Sequence, residues 1–239
     1  MEKEPDTIFA GAAARCRLTE YDRADYGEVY DLQTRLVDAL HAGRMEGNRL
    51  LLLEHNSVYT LGKRGGRENL VVSEAFLAEK GIEIVQIERG GNITYHGPGQ
   101  LVAYPIVDLG RGKVGVETYV TGLEEVMIRC AAKLGVDALR DPKNHGVWVG
   151  GNKVGSVGIA IRRGIAFHGL ALNVNLSLDP FTWINPCGLT GVGMTSVARE
   201  LGEAVSMAEA RARMLEAFTE VFGFSYEEGD AAALPIEEE

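Results

Sequence analysis

The sequence has few of the residues that hold a metal ion or a disulfide framework. Its three cysteines, Cys16, Cys130 and Cys187, lie far apart and form no C-x-x-C pair. Such spacing predicts neither a zinc site nor a set of disulfides, so each cysteine must be considered alone. The five histidines lack the H-x-x-x-H spacing of a metal-binding helix, and we therefore expect no metal and no other cofactor.

Long apolar runs and an excess of positive charge are also missing. No apolar run approaches the ~18 to 20 residues that a transmembrane helix needs, and the acidic start MEKEPD is unlike a signal peptide. A net charge of −10 argues against a broad basic face for nucleic acid. These absences predict a soluble, cytoplasmic protein that binds neither membrane nor nucleic acid.

The length and composition predict one domain with an ordinary core. The chain has 239 residues, of which 46% are hydrophobic, and this is enough to bury a large core. We expect a single domain over residues 1–239. Its ends, about 1–15 and 227–239, are polar or acidic and are expected to be loose.

Apolar periodicity predicts three long helices and a set of strands. The helices begin near Asp25, Glu117 and Ser206, where apolar residues recur at helical spacing. From 146 to 175 three apolar segments alternate with glycine-rich turns, which predicts an antiparallel meander. A further strand over 100–107 contains Pro105, which predicts an edge strand or a bulge.

The segment 89–100, RGGNITYHGPGQ, is rich in residues that break regular structure. Its four glycines permit close approach of a ligand, and Pro98 restricts its own backbone and that of Gly97. We predict a shaped loop between strands with Tyr95 and His96 at its tip. Loops on rigid scaffolds often carry function, although a tight connection of turn residues would give the same composition.

Cys187 is the cysteine whose setting favours reactivity, because it lies between Pro186 and Gly188 outside any periodic apolar pattern. An ordinary thiol has a pKa near 8.5 and needs a neighbouring base or cation to ionise at neutral pH. Lys153 is the leading candidate, since it opens an otherwise apolar and glycine-rich strand where a lysine is costly to bury. Spacing alone leaves three histidines as alternatives, namely His96, His145 and His168.

Four motifs, RGGNITYHGPGQ, GNKVGSVGI, FHGLALNVN and NPCG, occur in this order and spacing. Together they resemble the octanoyltransferase family that makes protein-bound lipoate. The resemblance extends from about Tyr26 to Ser196 and leaves out the two ends of the chain. Gly155 is a small departure, because the family usually has alanine or another small side chain there.

The resemblance implies a set of roles and partners. Cys187 would be the acyl-thioester nucleophile, and Lys153 would lower the thiol pKa and shuttle protons. Apart from the resemblance, His168 is a candidate for a supporting role because of its place on an apolar strand. The implied fold is α/β (α+β), a mixed, largely antiparallel sheet flanked by helices, as in the biotin and lipoate protein ligases. The implied partners are octanoyl-acyl carrier protein and the lipoyl domains of 2-oxoacid dehydrogenase complexes and glycine cleavage H protein. The implied acyl pocket is lined by Arg89, Gly90, Gly91, Asn92, Ile93, Thr94, Tyr95, His96, Ser156, Val157, Gly158, Gly169, Leu170 and Ala171.

Such partners are usually acidic, so docking to a chain of charge −10 must use local basic spots. The basic residues in flexible loops are Lys63, Arg64, Arg67, Arg162 and Arg163. Three other functions fit parts of the pattern. They are an ATP-dependent lipoate or biotin ligase, a non-catalytic module that binds a carrier protein, and a cysteine hydrolase.

Overall fold

The computed structural model describes residues 7–141, 144–185 and 193–227, apart from the side chains of residues 12 and 13. Two β-sheets and six α-helices make up the described fold. The strands are β1 (Arg15–Ala24), β2 (Asn48–His55), β3 (Val58–Leu61), β4 (Glu83–Gln86), β5 (Ile93–His96), β6 (Gln100–Asp108), β7 (Leu139–Arg140), β8 (Val147–Val149), β9 (Asn152–Arg162), β10 (Ile165–Asn173) and β11 (Ser225–Glu227). The helices are α1 (Tyr26–His41), α2 (Glu74–Glu79), α3 (Leu109–Gly112), α4 (Val116–Lys133), α5 (Val197–Leu201) and α6 (Met207–Phe222).

The larger sheet has eight strands among the described residues, in the order β11-β1-β2-β6-β10-β9-β8-β7. Strand β1 runs parallel to β2 and β11, and the remaining neighbours are antiparallel. The smaller sheet has the order β4-β3-β5, with β3 parallel to β4 and antiparallel to β5. The predicted fold, a mixed and largely antiparallel sheet flanked by helices, is confirmed.

Helices cover both faces of the larger sheet, which explains why its central strands are apolar throughout. Leu50 and Leu52 of β2 belong to the core beneath α4 and α6. Leu51 and Leu53 alternate with them and belong to the core beneath α1 on the opposite face. The smaller sheet has its own core around Tyr59.

The predicted meander is present as β8, β9 and β10, and the edge placement considered for Pro105 is wrong. Strand β6 is central, between β2 and β10. Its pairing with β10 is interrupted between the pairs Ala166↔Val107 and Leu170↔Ala103. Pro105 lies inside this interruption, so its missing N–H costs no ladder hydrogen bond to β10.

The composition predicts a loose end over about residues 1–15, but residues 7–15 are packed against the rest of the protein. Phe9 is buried, and the backbone N–H groups of Ile8 and Phe9 donate to Val221 and Phe222 of α6 at 3.0 Å. Residues 7–15 therefore pack against the body of the protein, because two apolar side chains outweigh the polar neighbours. Residues 1–6 and 228–239 lie outside the described part of the chain.

Side-chain caps mark the starts of α1, α2 and α6. Asp25 accepts from the backbone of Gly27 and Glu28, and Ser73 accepts from Phe76. Ser206 accepts from the Glu209 N–H at 3.4 Å. In the residues that the structure describes, no helix is both long enough and apolar enough to cross a membrane.

Candidate active site

A cavity lies where β5, β9 and β10 meet the glycine-rich loop after β4. It encloses about 540 Å³ of empty space, its open mouth included. Three segments that the resemblance implicates converge on it from distant parts of the chain. The lining residues are Tyr26, Arg89, Gly90, Gly91, Asn92, Ile93, Thr94, His96, Tyr104, Lys153, Ser156, Val157, Gly158, His168, Gly169, Leu170 and Ala171.

Tyr95 is the one predicted pocket residue that the structure leaves out. It does not line the cavity, and its hydroxyl bonds to Ser57 at 2.9 Å within the core of the smaller sheet. Residues 93–96 form β5 rather than a loop tip, so Tyr95 alternates with Thr94 and His96 and points to the other face. The predicted loop is therefore confined to residues 89–92 and the turn at 97–99.

The side chain of Arg89 shapes the glycine loop. It is buried, and its guanidinium donates to the Thr60 carbonyl at 2.6 Å and to the Gly90 carbonyl at 3.0 Å. The Gly90 N–H donates to the Ile159 carbonyl at 2.9 Å, which ties the loop to β9. A Cβ at Gly158 would lie 3.0 Å from the Arg89 side chain. A side chain at this position of β9 would therefore press on Arg89 where the loop crosses the strand.

Lys153 is buried at the start of β9, with 9% of its surface exposed. Its amine lies 5.3 Å from the centre of the Trp148 ring, within the range of a cation–π contact. Gly146 lies against the lysine stem, since a Cβ there would come within 2.5 Å of Lys153 Cε. The lysine backbone bonds to Gly193 and Thr195 at 2.9 Å each. Trp148 and Gly146 thus hold the amine end of the side chain, and the backbone hydrogen bonds hold its Cα end.

Glu124 of α4 holds the turn that carries Gly146. Its carboxylate is buried and accepts from the Gly146 N–H at 2.8 Å. The same carboxylate lies 3.3 Å from His145 Nδ1 and 3.4 Å from Arg140 Nε. Glu124 therefore holds the backbone turn against which the Lys153 stem packs.

If Lys153 has the role that the sequence resemblance implies, replacing Glu124 by alanine should lower kcat for acyl transfer at least about tenfold, because a shift of the lysine by a fraction of an ångström misaligns the reacting groups. We expect KM to change less than twofold, since the glutamate does not line the cavity. Steady-state kinetics measures this split. Glu125→Ala is the matched control, because Glu125 pairs with Arg129 and Arg140. Equal losses in both variants would reduce Glu124 to a structural residue.

A chain of side-chain hydrogen bonds leads from His96 to the segment beside Lys153. Gln100 Nε2 donates to Asn173 Oδ1 at 2.9 Å, which leaves its Oε1 to accept from His96 Nδ1–H at 2.7 Å. Asn173 Nδ2 donates to the Thr195 carbonyl at 3.0 Å. Thr195 in turn bonds to the Lys153 carbonyl. The cavity wall and the lysine backbone are thereby linked.

His168 has an unusual backbone conformation, and its ring nitrogens make no hydrogen bond with the described residues. Its φ of 57° lies in the left-handed region, which is uncommon for a residue other than glycine. The Gln33 side chain accepts from its backbone N–H at 2.8 Å, and its ring stacks on Tyr30 at 5.7 Å. Neither ring nitrogen has a hydrogen-bond partner in the part of the chain that the structure describes. The supporting role predicted for His168 stays a prediction.

Three buried histidines should make the protein sensitive to acid. Burial lowers the pKa of His55 to about 4 and the pKa values of His96 and His168 to about 3. Between these values and the ordinary 6.5, the unfolded chain binds up to three more protons than the folded chain. The free energy of unfolding should therefore fall with decreasing pH below 6.5, by about 1.4 kcal/mol per pH unit for each histidine.

Urea unfolding between pH 7.5 and 5.5 measures this slope. His55→Gln should remove about one third of it, because one of the three groups no longer takes up a proton. Glutamine retains an acceptor and a donor for the ring's two contacts, Ala24 at 3.1 Å and the Tyr104 hydroxyl at 2.9 Å. A free energy of unfolding that stayed constant over this pH range would contradict the prediction.

The chain matches the lipoyl protein ligase A/B catalytic domain over residues 25–219. It is 51% identical over 208 residues to the octanoyltransferase of Desulfotalea psychrophila, which covers 86% of this chain and 93% of that protein. The chain belongs to the octanoyltransferase family. The predicted family and its class of enzyme, an acyltransferase of protein lipoylation, are confirmed.

Solved structures share the fold of this octanoyltransferase family member. The bipartite lipoate protein ligase of Thermoplasma acidophilum superposes with a TM-score of 0.68 at 19% identity, covering 92% of this chain and 87% of that one. The biotin protein ligase of Aquifex aeolicus gives a TM-score of 0.53 at 12% identity, with 85% and 69% covered. The predicted relation to the fold of the biotin and lipoate protein ligases is confirmed.

Cys187 lies outside the described residues, so its predicted catalytic role stays a prediction. Asn185 and Gly193 are the nearest described residues on either side of it, and both are hydrogen-bonded to other parts of the chain. Asn185 bonds to the Asn69 carbonyl at 2.8 Å, and Gly193 bonds to Lys153. The other two cysteines are buried, and burial raises the pKa of Cys130 to about 12 and that of Cys16 further. Neither thiol is a plausible nucleophile.

Several residues of the site were not singled out by the sequence. Tyr26 and Tyr104 line the cavity, and their apolar periodicity gives no sign of it. Gln100 and Asn173 stand inside the matched motifs RGGNITYHGPGQ and FHGLALNVN, which was the available signal. No sequence signal pointed to Glu124, because its buried position follows from the way α4 packs on the sheet.

Proposed function

We propose that this enzyme moves an octanoyl group from acyl carrier protein to a lysine of a lipoyl domain, through a thioester on Cys187. This is the first step of protein lipoylation. The observation that carries the proposal is the cavity that opens on Lys153. An amine at the mouth of an acyl pocket supports this proposal, because it could act on both a thiol and an acyl chain. We also propose that residues 1–239 act as one domain in the cytoplasm.

The cavity suits an aliphatic acyl chain. Val157, Leu170 and Ala171 provide apolar wall. Each buried CH₂ contributes about 0.8 kcal/mol, so an octanoyl chain gains roughly 5 kcal/mol. One methylene more or fewer changes binding by only ~1 to 3 kcal/mol. Selectivity for chain length is therefore partial.

The glycines play unequal parts in this pocket. A Cβ at Gly155 would lie 2.6 Å from Met127 Sδ, and one at Gly169 would lie 2.3 Å from the Ala103 carbonyl. These two glycines permit close packing against α4 and β6. Gly158, facing Arg89, is the one of the three that borders the glycine loop. The pocket is thus formed by the loop crossing β9 rather than by gaps between strands.

The chemistry has two balanced steps. The Cys187 thiolate attacks the carbonyl of the donor thioester, a new C–S bond forms, and the old C–S bond breaks. The departing carrier thiolate takes a proton, for which the Lys153 ammonium is the source. The acceptor lysine amine then attacks the acyl-enzyme, a C–N bond forms, and the Cys187 thiolate leaves. The amine loses its proton, which returns to Lys153.

Two properties follow from this scheme. Exchange between thioesters is nearly balanced in free energy, and the final amide is stable, so neither step requires ATP. A positively charged Lys153 stabilises the Cys187 thiolate, whereas a neutral one accepts the acceptor's proton. The buried, glycine-walled position of the amine is compatible with both states.

Intact-mass analysis after mixing the protein with octanoyl-acyl carrier protein, without nucleotide, tests the proposal. We expect one octanoyl adduct, which disappears when a lipoyl domain is added and reappears as octanoyl-lysine on that domain. A requirement for ATP would favour a ligase. Release of free octanoate without an acceptor would favour a hydrolase, and complex formation without any adduct would favour a non-catalytic binding module.

A further inference from the structure

A second depression adjoins the acyl cavity, and we propose that it binds the prosthetic arm of an acidic carrier protein. This inference rests on the proposed function. The depression, here called the arm groove, runs between the first turns of α4 and the strand β9. Its walls include Val116, Val120, Thr121, Asn144 and Ile159, with Arg64 at its rim. It encloses about 1720 Å³, open solvent included.

The arm groove is continuous with the acyl cavity at the amine of Lys153. Five residues line both depressions, namely Gly90, Gly91, Lys153, Val157 and Gly158. A thioester whose acyl chain fills the cavity must place its carbonyl near Lys153. The remainder of the donor then leaves along the second depression, because the two meet at that lysine.

The walls of the arm groove match the chemistry of such an arm. A carrier protein presents its thioester on a flexible chain of methylene and amide groups. Val116 is 50% exposed at the start of α4, and Val120 lies one turn further along the same helix. Thr121 and Asn144 offer hydroxyl and amide groups beside this apolar stripe. Apolar contacts with a few polar groups are typical of a small-molecule subsite.

Ion pairing singles out one basic spot at the rim. Of the five basic residues expected to dock an acidic partner, three are paired: Arg67 with Glu74, Arg162 with Glu88, and Arg163 with Asp38. Lys63 and Arg64 are exposed and make no ion pair in residues 7–141, 144–185 and 193–227. Their positive charge is available to an acidic protein surface on a chain of net charge −10.

The charge part of the proposal is tested with two donors, octanoyl-carrier protein and a small octanoyl thioester that lacks the protein. Arg64→Gln should raise KM for the carrier donor about three- to fivefold and flatten its dependence on salt. KM for the small donor should not change. Arg67→Gln is the matched control, since it removes the same charge three residues away. Equal effects of the two substitutions would overturn the role of Arg64.

The groove part is tested by filling it. Thr121→Trp places a bulky ring on an exposed helical position and should lower kcat/KM for both donors at least about tenfold. Thr118→Trp changes an exposed threonine of the same helix that does not line the groove, and should retain activity. Wild-type rates with Thr121→Trp would overturn the groove. If the wild-type enzyme formed no octanoyl adduct with either donor, the proposed function would be overturned instead.

Discussion

Lys153→Met should reduce octanoyl transfer by about 10²- to 10⁴-fold, the range that a positioned acid or base contributes. Methionine keeps most of the apolar stem against Gly146 and Trp148 and removes the charge, so the cavity keeps its shape. Without the ammonium the thiol returns towards an ordinary pKa near 8.5, and only a few per cent ionises at neutral pH. Single-turnover formation of the acyl-enzyme measures the loss directly.

The pH profile separates this role from a structural one. The rate of acyl-enzyme formation by Lys153→Met should keep rising up to about pH 8.5, as the unassisted thiol ionises. Lys80→Met is a suitable control, because Lys80 also lies over an aromatic ring, 5.6 Å from the centre of Phe76, and does not line the cavity. Transfer by Lys153→Met within a factor of two of wild type would remove Lys153 from the mechanism.

The parts of the fold that were predictable are those fixed by local patterns. Asp25 and Ser206 cap the helices that they were expected to begin, since a cap needs only its neighbours in sequence. The meander follows from turns at 150–152 and 162–164. Strands β1 and β11 were missed. They are polar and largely half-buried or exposed, and β1 pairs with β2 across the whole of α1.

The candidate site shows the same division. Lys153 and the glycine segments carried motifs, and the structure brings them to one cavity. Pro105 and His168 illustrate what a sequence pattern cannot give, because the break in pairing between β6 and β10 depends on both strands together. Tyr95 was placed wrongly for a related reason. Pairing with β3 turned the expected loop tip into a strand, and the alternation of that strand decides which side chain faces the cavity.

Cys187→Ala should form no octanoyl adduct from octanoyl-carrier protein, whereas Cys16→Ala and Cys130→Ala should both form it. Burial keeps the thiols of Cys16 and Cys130 protonated, with the pKa of Cys130 raised to about 12, so neither attacks a thioester. Cys130 packs in the core beneath α6, and its replacement should cost about 1 kcal/mol or more in the free energy of unfolding. Intact mass after a single turnover distinguishes the three variants.

The three-way comparison is decisive because each substitution removes one thiol and leaves the other two. An adduct on Cys187→Ala that is stable to a thiol reagent would locate the acyl group on an amine, and Lys153 would become the first residue to examine. An adduct that the thiol reagent removes would assign the attack to Cys16 or Cys130, against the burial of both. Loss of the adduct in Cys187→Ala alone, with the wild-type free energy of unfolding, is the result that the thioester mechanism requires, since that result separates a lost nucleophile from a lost fold.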